Sequence, residues 1–237
     1  MSANADVLQG SELIGSKERE TALPQTGVGC ETTGFDPENF AQEQIRGLVR
    51  RVFFASGGQP MKQVVFSAAE PHTDVGIICD QVGEALAVET GADIAIVGRN
   101  PSAAAMMHVQ RKRHMENVAI KSWSTKAGIN LWRVPESGLR EHSEESGSGR
   151  YWLSCLAELR NEFEYAVIQG PAAGASSEAA LLGQLADGII LVLGARSTRG
   201  AVARKIKETL EGAQSRILGA VLSERMFPVP ERIYRRL

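Results

Sequence analysis

Short β-branched runs that alternate with helix-period segments set the tightest limit on what this chain can fold into. VVFSA (64–68), DIAIVG (93–98), YAVIQG (165–170) and GIILVLGA (188–195) are too continuously apolar to have one wet face, so each reads as a buried strand. Between them, apolar residues recur three and four apart: Ile78, Val82 and Leu86 after the first run, and Val202, Ile206 and Leu210 after the last. Gly91 ends the first helix just before DIAIVG, which closes one βαβ unit. INLWRV (129–134) and RILGAVLSE (216–224) read as further strands, and YWLSCLAELRNEF (151–163) and SSEAALLGQLA (176–186) as further helices. Helices on both sides of such strands bury both faces of the sheet, so the expected fold is α/β, a three-layer sandwich around a mostly parallel sheet.

The ends are read differently. Residues 1–38 are rich in Ser, Thr, Gly, Glu and Gln without a hydrophobic period, and are expected to form a disordered tail. The domain proper is expected over 39–237, entered by a helix near Pro37 that carries Phe40, Ile45, Leu48 and Val52. With 43% hydrophobic residues, that length can bury a full core. Twenty-six basic residues against 28 acidic give a net charge of -2, so no overall pull toward nucleic acid or an anionic membrane is expected. The local cluster RKRH (111–114) and the Arg-rich end are read as solvated faces that could serve as contact points. Cys30, Cys79 and Cys155 are too few and scattered for a metal cage or a disulfide framework, which suggests a cytoplasmic setting. The N-terminus lacks the basic and apolar regions of a signal peptide, and GIILVLGA is less than half a membrane span.

In open parallel sheets, ligands lie beyond the carboxyl ends of the strands. That rule selects AAEPHTDVG after the first strand, GRNPS after the second, QGPAAGASS after YAVI and ARSTRG after IILVL. A helix with E-x-x-R, then VVFSAAEP, a strand ending in GRNP, YAVIQGP, LADGIILVL, ILGAVLSER and FPVPERIYRRL together resemble the cytoplasmic ATPase domain of bacterial tyrosine kinases. These are P-loop proteins that work with chain-length regulators in exopolysaccharide production. The likeness covers about residues 40–237.

Active proteins of that kind carry P-G-E-G-K-[ST] and acidic ends on two later strands. Here Pro71 is followed by His72, Thr73, Asp74, Val75 and Gly76, so the lysine position holds Val75 and the magnesium-binding hydroxyl position holds Gly76. Gly98 and Asn100 stand at the acidic positions of the second strand, and Gln169 at that of the third. A phosphate loop needs inward N–H groups, a cation and a metal ligand. One unit-charge contact at about 4 Å and an effective dielectric near 20 is on the order of 4 kcal/mol. Loss of a cation or gain of Asp74 could therefore weaken phosphate binding by roughly a thousandfold.

On this basis the resemblance implies a pseudo-ATPase: not an enzyme, with no ATP, magnesium or other metal expected, acting as an accessory protein in exopolysaccharide synthesis and export. Its partner would be a membrane chain-length regulator or a related tyrosine kinase. Nucleic acid is not expected, and membrane association would run only through that partner, at the cytoplasmic face of the inner membrane. Arg99, Arg196 and Arg199 are candidate contacts for some other anion. Glu43 and Arg46 match a helix that lies at a subunit contact in the kinases, but the second arginine is displaced to Arg50, about 100° around the helix. A variant contact or oligomer is the expectation drawn from them. Tyr234 is a minor candidate for phosphorylation, within a tail whose apolar spacing suits docking on the domain. The alternatives are a divergent ATPase or tyrosine kinase with substitute cations and, more remotely, a Rossmann-type oxidoreductase. Against the latter, only Gly76 is present where a dinucleotide loop needs several glycines, and no Tyr-x-x-x-Lys occurs.

Overall fold

The structure, a computed structural model, describes residues 37–54, 60–98, 111–114, 121–124, 128–135 and 148–223. In chain order these give α1 (Pro37–Phe53), β1 (Gln63–Ala68), α2 (Gly76–Thr90), β2 (Ile94–Gly98), β3 (Arg111–His114) and β4 (Lys121–Ser124). Then follow β5 (Leu131–Pro135), α3 (Ser148–Glu162), β6 (Tyr165–Gln169), α4 (Glu178–Leu185), β7 (Gly188–Gly194), α5 (Gly200–Gly212) and β8 (Ile217–Ser223). They form one sheet in the order β3-β4-β5-β2-β6-β1-β7-β8. The six strands from β5 to β8 are parallel, while β4 runs antiparallel to β5 and to β3. The expected α/β sandwich is therefore the observed fold.

Two apolar layers explain why the central strands show no polar face. Val64, Phe66, Ile94, Ile96, Val167, Ile190 and Val192 pack with Val49 and Phe53 of α1 and Ile78, Val82 and Leu86 of α2. The alternate residues Val65, Ala95, Val97, Ile168, Ile189 and Leu191 pack with Leu156, Leu159, Leu182, Ile206 and Leu210. Successive strand residues point to opposite faces, so each strand feeds both layers. Gly91 ends α2 at φ 67°, a left-handed position where glycine carries no steric cost.

The amino ends of β1 and β7 are tied by one carboxylate. Asp187 Oδ2 accepts from the backbone N–H of Lys62 (2.7 Å) and Gln63 (2.8 Å), and Oδ1 accepts from Arg160 of α3 at 2.8 Å. Burial works to raise the Asp187 pKa, but the Arg160 hydrogen bond and the two backbone amides outweigh it and hold the carboxyl below its ordinary value. At the far edge, RKRH and KSWS form the paired strands β3 and β4, which the sequence reading did not predict. Their residues show no apolar alternation, and their pairing joins segments separated by six residues.

Candidate functional site

β1 stops at Ala68, and its neighbours hold the start of the following loop. The Ala69 N–H donates to Val192 O of β7 at 2.9 Å. From the other side, the 170–176 loop after β6 folds over the same place: Ala173 N–H donates to Ala68 O (2.8 Å) and Gly174 N–H to Ala69 O (3.1 Å). A Cβ on Gly174 would come within 2.5 Å of the Ala69 carbonyl oxygen, so this closure requires glycine. Ser67, fully buried, adds a hydrogen bond from Oγ to Pro171 O at 2.6 Å. The sequence reading passed over Ser67 and Gly174. A hydroxyl among β-branched residues and a second glycine in GPAAGAS were the available signals.

The loop itself is a filled turn. Thr73 N–H donates to Glu70 O at 3.2 Å, and the Asp74 carboxylate accepts from Gly76 N–H at 2.8 Å. The side chain of Val75 is 4% exposed and joins the core beneath α2. Thr73 is buried against the end of β7, where its Oγ1 lies 3.3 Å from the point a Cβ on Gly194 would occupy. Thr73 Oγ1 and Glu70 Oε2 are buried without a hydrogen-bond partner. His72 is exposed.

Gln169 occupies the floor. Its Oε1 lies 2.6 Å from where a Cβ on Gly98 would be, and its amide group is 3.8 Å from the corresponding point on Gly76. Gly98, Gln169 and the first turn of α2 are thus brought together, and the two departures at 98 and 169 are coupled: the missing side chain at 98 is the space that Gln169 fills. Arg196 and Arg199 are exposed on the segment between β7 and α5. There Thr198 closes a turn, its Oγ1 accepting from Gly194 N–H at 3.1 Å. Arg99, Asn100 and Tyr234 lie outside the described residues.

The candidate interface residues are engaged within the chain. Arg46 pairs with Glu43 at 2.6 Å on the exposed face of α1. Arg50, one position late for the kinase pattern, reaches Glu89 of α2 at 3.1 Å. Burial raises the pKa of the Cys79 thiol in α2, as do the neighbouring Asp80 and Asp74 carboxylates, so it stays protonated and inert. No group of metal-ligating side chains occurs among the described residues. No helix among them is long and apolar enough to cross a membrane.

No family model matches the chain. In sequence it is similar to tyrosine-protein kinase YwqD of Bacillus subtilis (strain 168), 22% identical over 197 residues that span 79% of this chain and 83% of the relative. Among solved structures it resembles the chimerical protein CapA2B2, with TM-score 0.58, 16% identity, and 76% of this chain and 83% of the other covered. It also resembles the VpsO kinase domain, with TM-score 0.56, 19% identity, and 80% and 98% covered. A further likeness is to the cell division protein MinD of Aquifex aeolicus, with TM-score 0.51, 15% identity, and 68% of each chain covered. These structural likenesses establish a P-loop NTPase-like fold, and the sequence relatives are bacterial tyrosine-protein kinases.

Two expectations are corrected by these findings. The chain was expected not to be an enzyme; its relatives are kinases, and kinase domains share its fold, which points toward an enzyme. No ATP or magnesium was expected; protein-tyrosine kinases use both, so that expectation falls with the first. The physical reason is that motif residues are one way of holding phosphate, and the amino end of α2 still follows the carboxyl end of β1 without them. The geometry adds a narrower fact. In the structure Asp74 accepts from the Gly76 N–H and the Val75 side chain is in the core.

Proposed function

We propose that this chain works in exopolysaccharide synthesis and export as a divergent protein of the tyrosine-kinase type. It acts at the cytoplasmic face of the inner membrane beside a membrane chain-length regulator or a related kinase. The observation that carries this reading is similarity to a tyrosine-protein kinase across 79% of the chain. The fold supports it by placing the 69–76 loop at the carboxyl end of the central strand β1, where sheets of this kind bind ligands. A structural neighbour that is itself a chimerical protein, CapA2B2, supports a partnered mode of action. The candidate phosphate contacts are the amides at the start of α2, with Arg99, Arg196 and Arg199 as the cations that stand in for the lysine.

The test uses the full chain with Mg²⁺ and labelled ATP, alone and with the cytoplasmic segment of a chain-length regulator encoded beside it. The expected outcome is co-purification with that segment and label on tyrosine of either protein. Neither label nor co-purification, from folded protein, would overturn the proposal.

A further inference from the structure

Two polar groups just before α2 are buried with nothing to bond among the described residues. Thr73 is 6% exposed, and its Oγ1 has no hydrogen-bond partner. Glu70, three residues earlier, keeps one carboxylate oxygen, Oε2, buried and equally without a partner. The two residues are the ends of one turn: Thr73 N–H donates to Glu70 O at 3.2 Å, a closure that holds the end Cα atoms of such a turn within about 7 Å. Both side chains are thus within reach of one small ion. On the far side, Thr73 Oγ1 lies 3.3 Å from the point a Cβ on Gly194 would occupy, and Ser197 Oγ lies closer still to that point. A second hydroxyl, from the segment after β7, therefore stands beside the first.

A buried hydroxyl or carboxylate oxygen left unpaired destabilises the fold, so each such atom calls for an ion or a water that satisfies it. Both unpaired atoms here are oxygens, and one belongs to an acid, so the ligand they fit is a hard cation. We propose that the Glu70–Thr73 turn holds a divalent cation of the magnesium class, with Glu70 Oε2 and Thr73 Oγ1 as its protein ligands. Calcium takes six to eight oxygens, which two side chains do not approach, whereas magnesium keeps several waters and is content with one or two carboxylates plus a phosphate. The absence of any group of three or more His, Cys, Asp and Glu side chains among the described residues agrees with that sparse ligation. Position 76, where the resemblance puts the metal-binding hydroxyl, is glycine; this turn offers a hydroxyl from position 73 instead. The cation would meet phosphate because the turn lies three residues before the Gly76 amide, and in that respect alone the inference rests on the nucleotide-binding reading proposed above.

Electron paramagnetic resonance of Mn²⁺, an oxygen-seeking ion whose free signal falls on binding, tests this on the full chain. The parent protein is expected to deplete free Mn²⁺ without nucleotide, to release it to excess Mg²⁺, and to bind it at least about tenfold tighter with ATP present. E70Q is expected to weaken Mn²⁺ binding at least about tenfold and T73V about fivefold, while T73S, which keeps the hydroxyl, stays within about twofold. E164Q removes an equal charge at the opposite rim, before β6, and is expected to leave binding within about twofold. T73V loses an unpaired hydroxyl at nearly constant volume, so its metal-free Tm is expected to be no lower than the parent's, which separates loss of the ion from loss of the fold. Mn²⁺ binding that needs Glu70 and Thr73 but is unchanged by ATP would sustain the site and count against the nucleotide-binding reading. A free Mn²⁺ signal undiminished by the parent protein with and without ATP, the result a buried water in the turn would give, would overturn the proposal. So would E70Q and T73V binding Mn²⁺ as the parent does.

Discussion

Asp74 holds the Gly76 amide that an anionic ligand at this loop would need, at small entropic cost because it is two residues away in the same chain. Replacing it by glycine frees the amide and removes a negative charge from the start of α2. Asp74→Gly is therefore expected to raise affinity for ATP with Mg²⁺ about tenfold, the modest figure appropriate to an exposed, salt-screened carboxylate; isothermal titration calorimetry would read it, and unchanged affinity would refute the competition. Restoring the lysine has a different outcome. Val75 is 4% exposed within the core, so Val75→Lys is expected to cost about 3 kcal/mol of stability without gain in nucleotide binding, measurable by urea unfolding. This is where the sequence was least legible. Position 75 could be aligned with a lysine, but alignment does not say which way a side chain faces, and here it is buried. The link between Gly98 and Gln169 was equally hidden, because contact between two strand ends is a property of the assembled sheet.

At the level of elements, β1 is fastened at both ends by different chemistry. Its amino end depends on Asp187, whose carboxyl is held below the ordinary aspartate value of 3.8. A depressed carboxyl pKa adds stability that is present above the unfolded value and is lost as pH falls through the folded value. Asp187→Asn is expected to cost about 1–3 kcal/mol at pH 7, with the difference from the parent protein shrinking below about pH 4 in denaturant titrations. Its carboxyl end depends on the 170–176 loop, and Gly174→Ala forces a methyl group against the Ala69 carbonyl. That change is expected to lower stability by about 1–3 kcal/mol and to loosen the 69–76 loop, seen as faster proteolysis there. The apolar strands and periodic helices were legible in the sequence because burial on two faces leaves an unbroken apolar run. β3 and β4 were not, because a short polar ribbon owes its strand character to its neighbours.

For the molecule as a whole, six parallel strands with helices on both faces put the carboxyl ends of β1, β2, β6 and β7 at one rim, and that much followed from the order of the segments alone. The activity did not. Substituted motif residues suggested an absence of chemistry, whereas the similarity to a tyrosine-protein kinase points toward an enzyme. β1 itself sits between β6 and β7 with all six residues buried. A strand so enclosed cannot slide along its axis without breaking both ladders, so any rearrangement that admits a ligand must pivot within residues 69–76. Deuterium uptake should separate the two: amides of 64–68 exchanging only through global opening, and those of 72–76 exchanging orders of magnitude sooner.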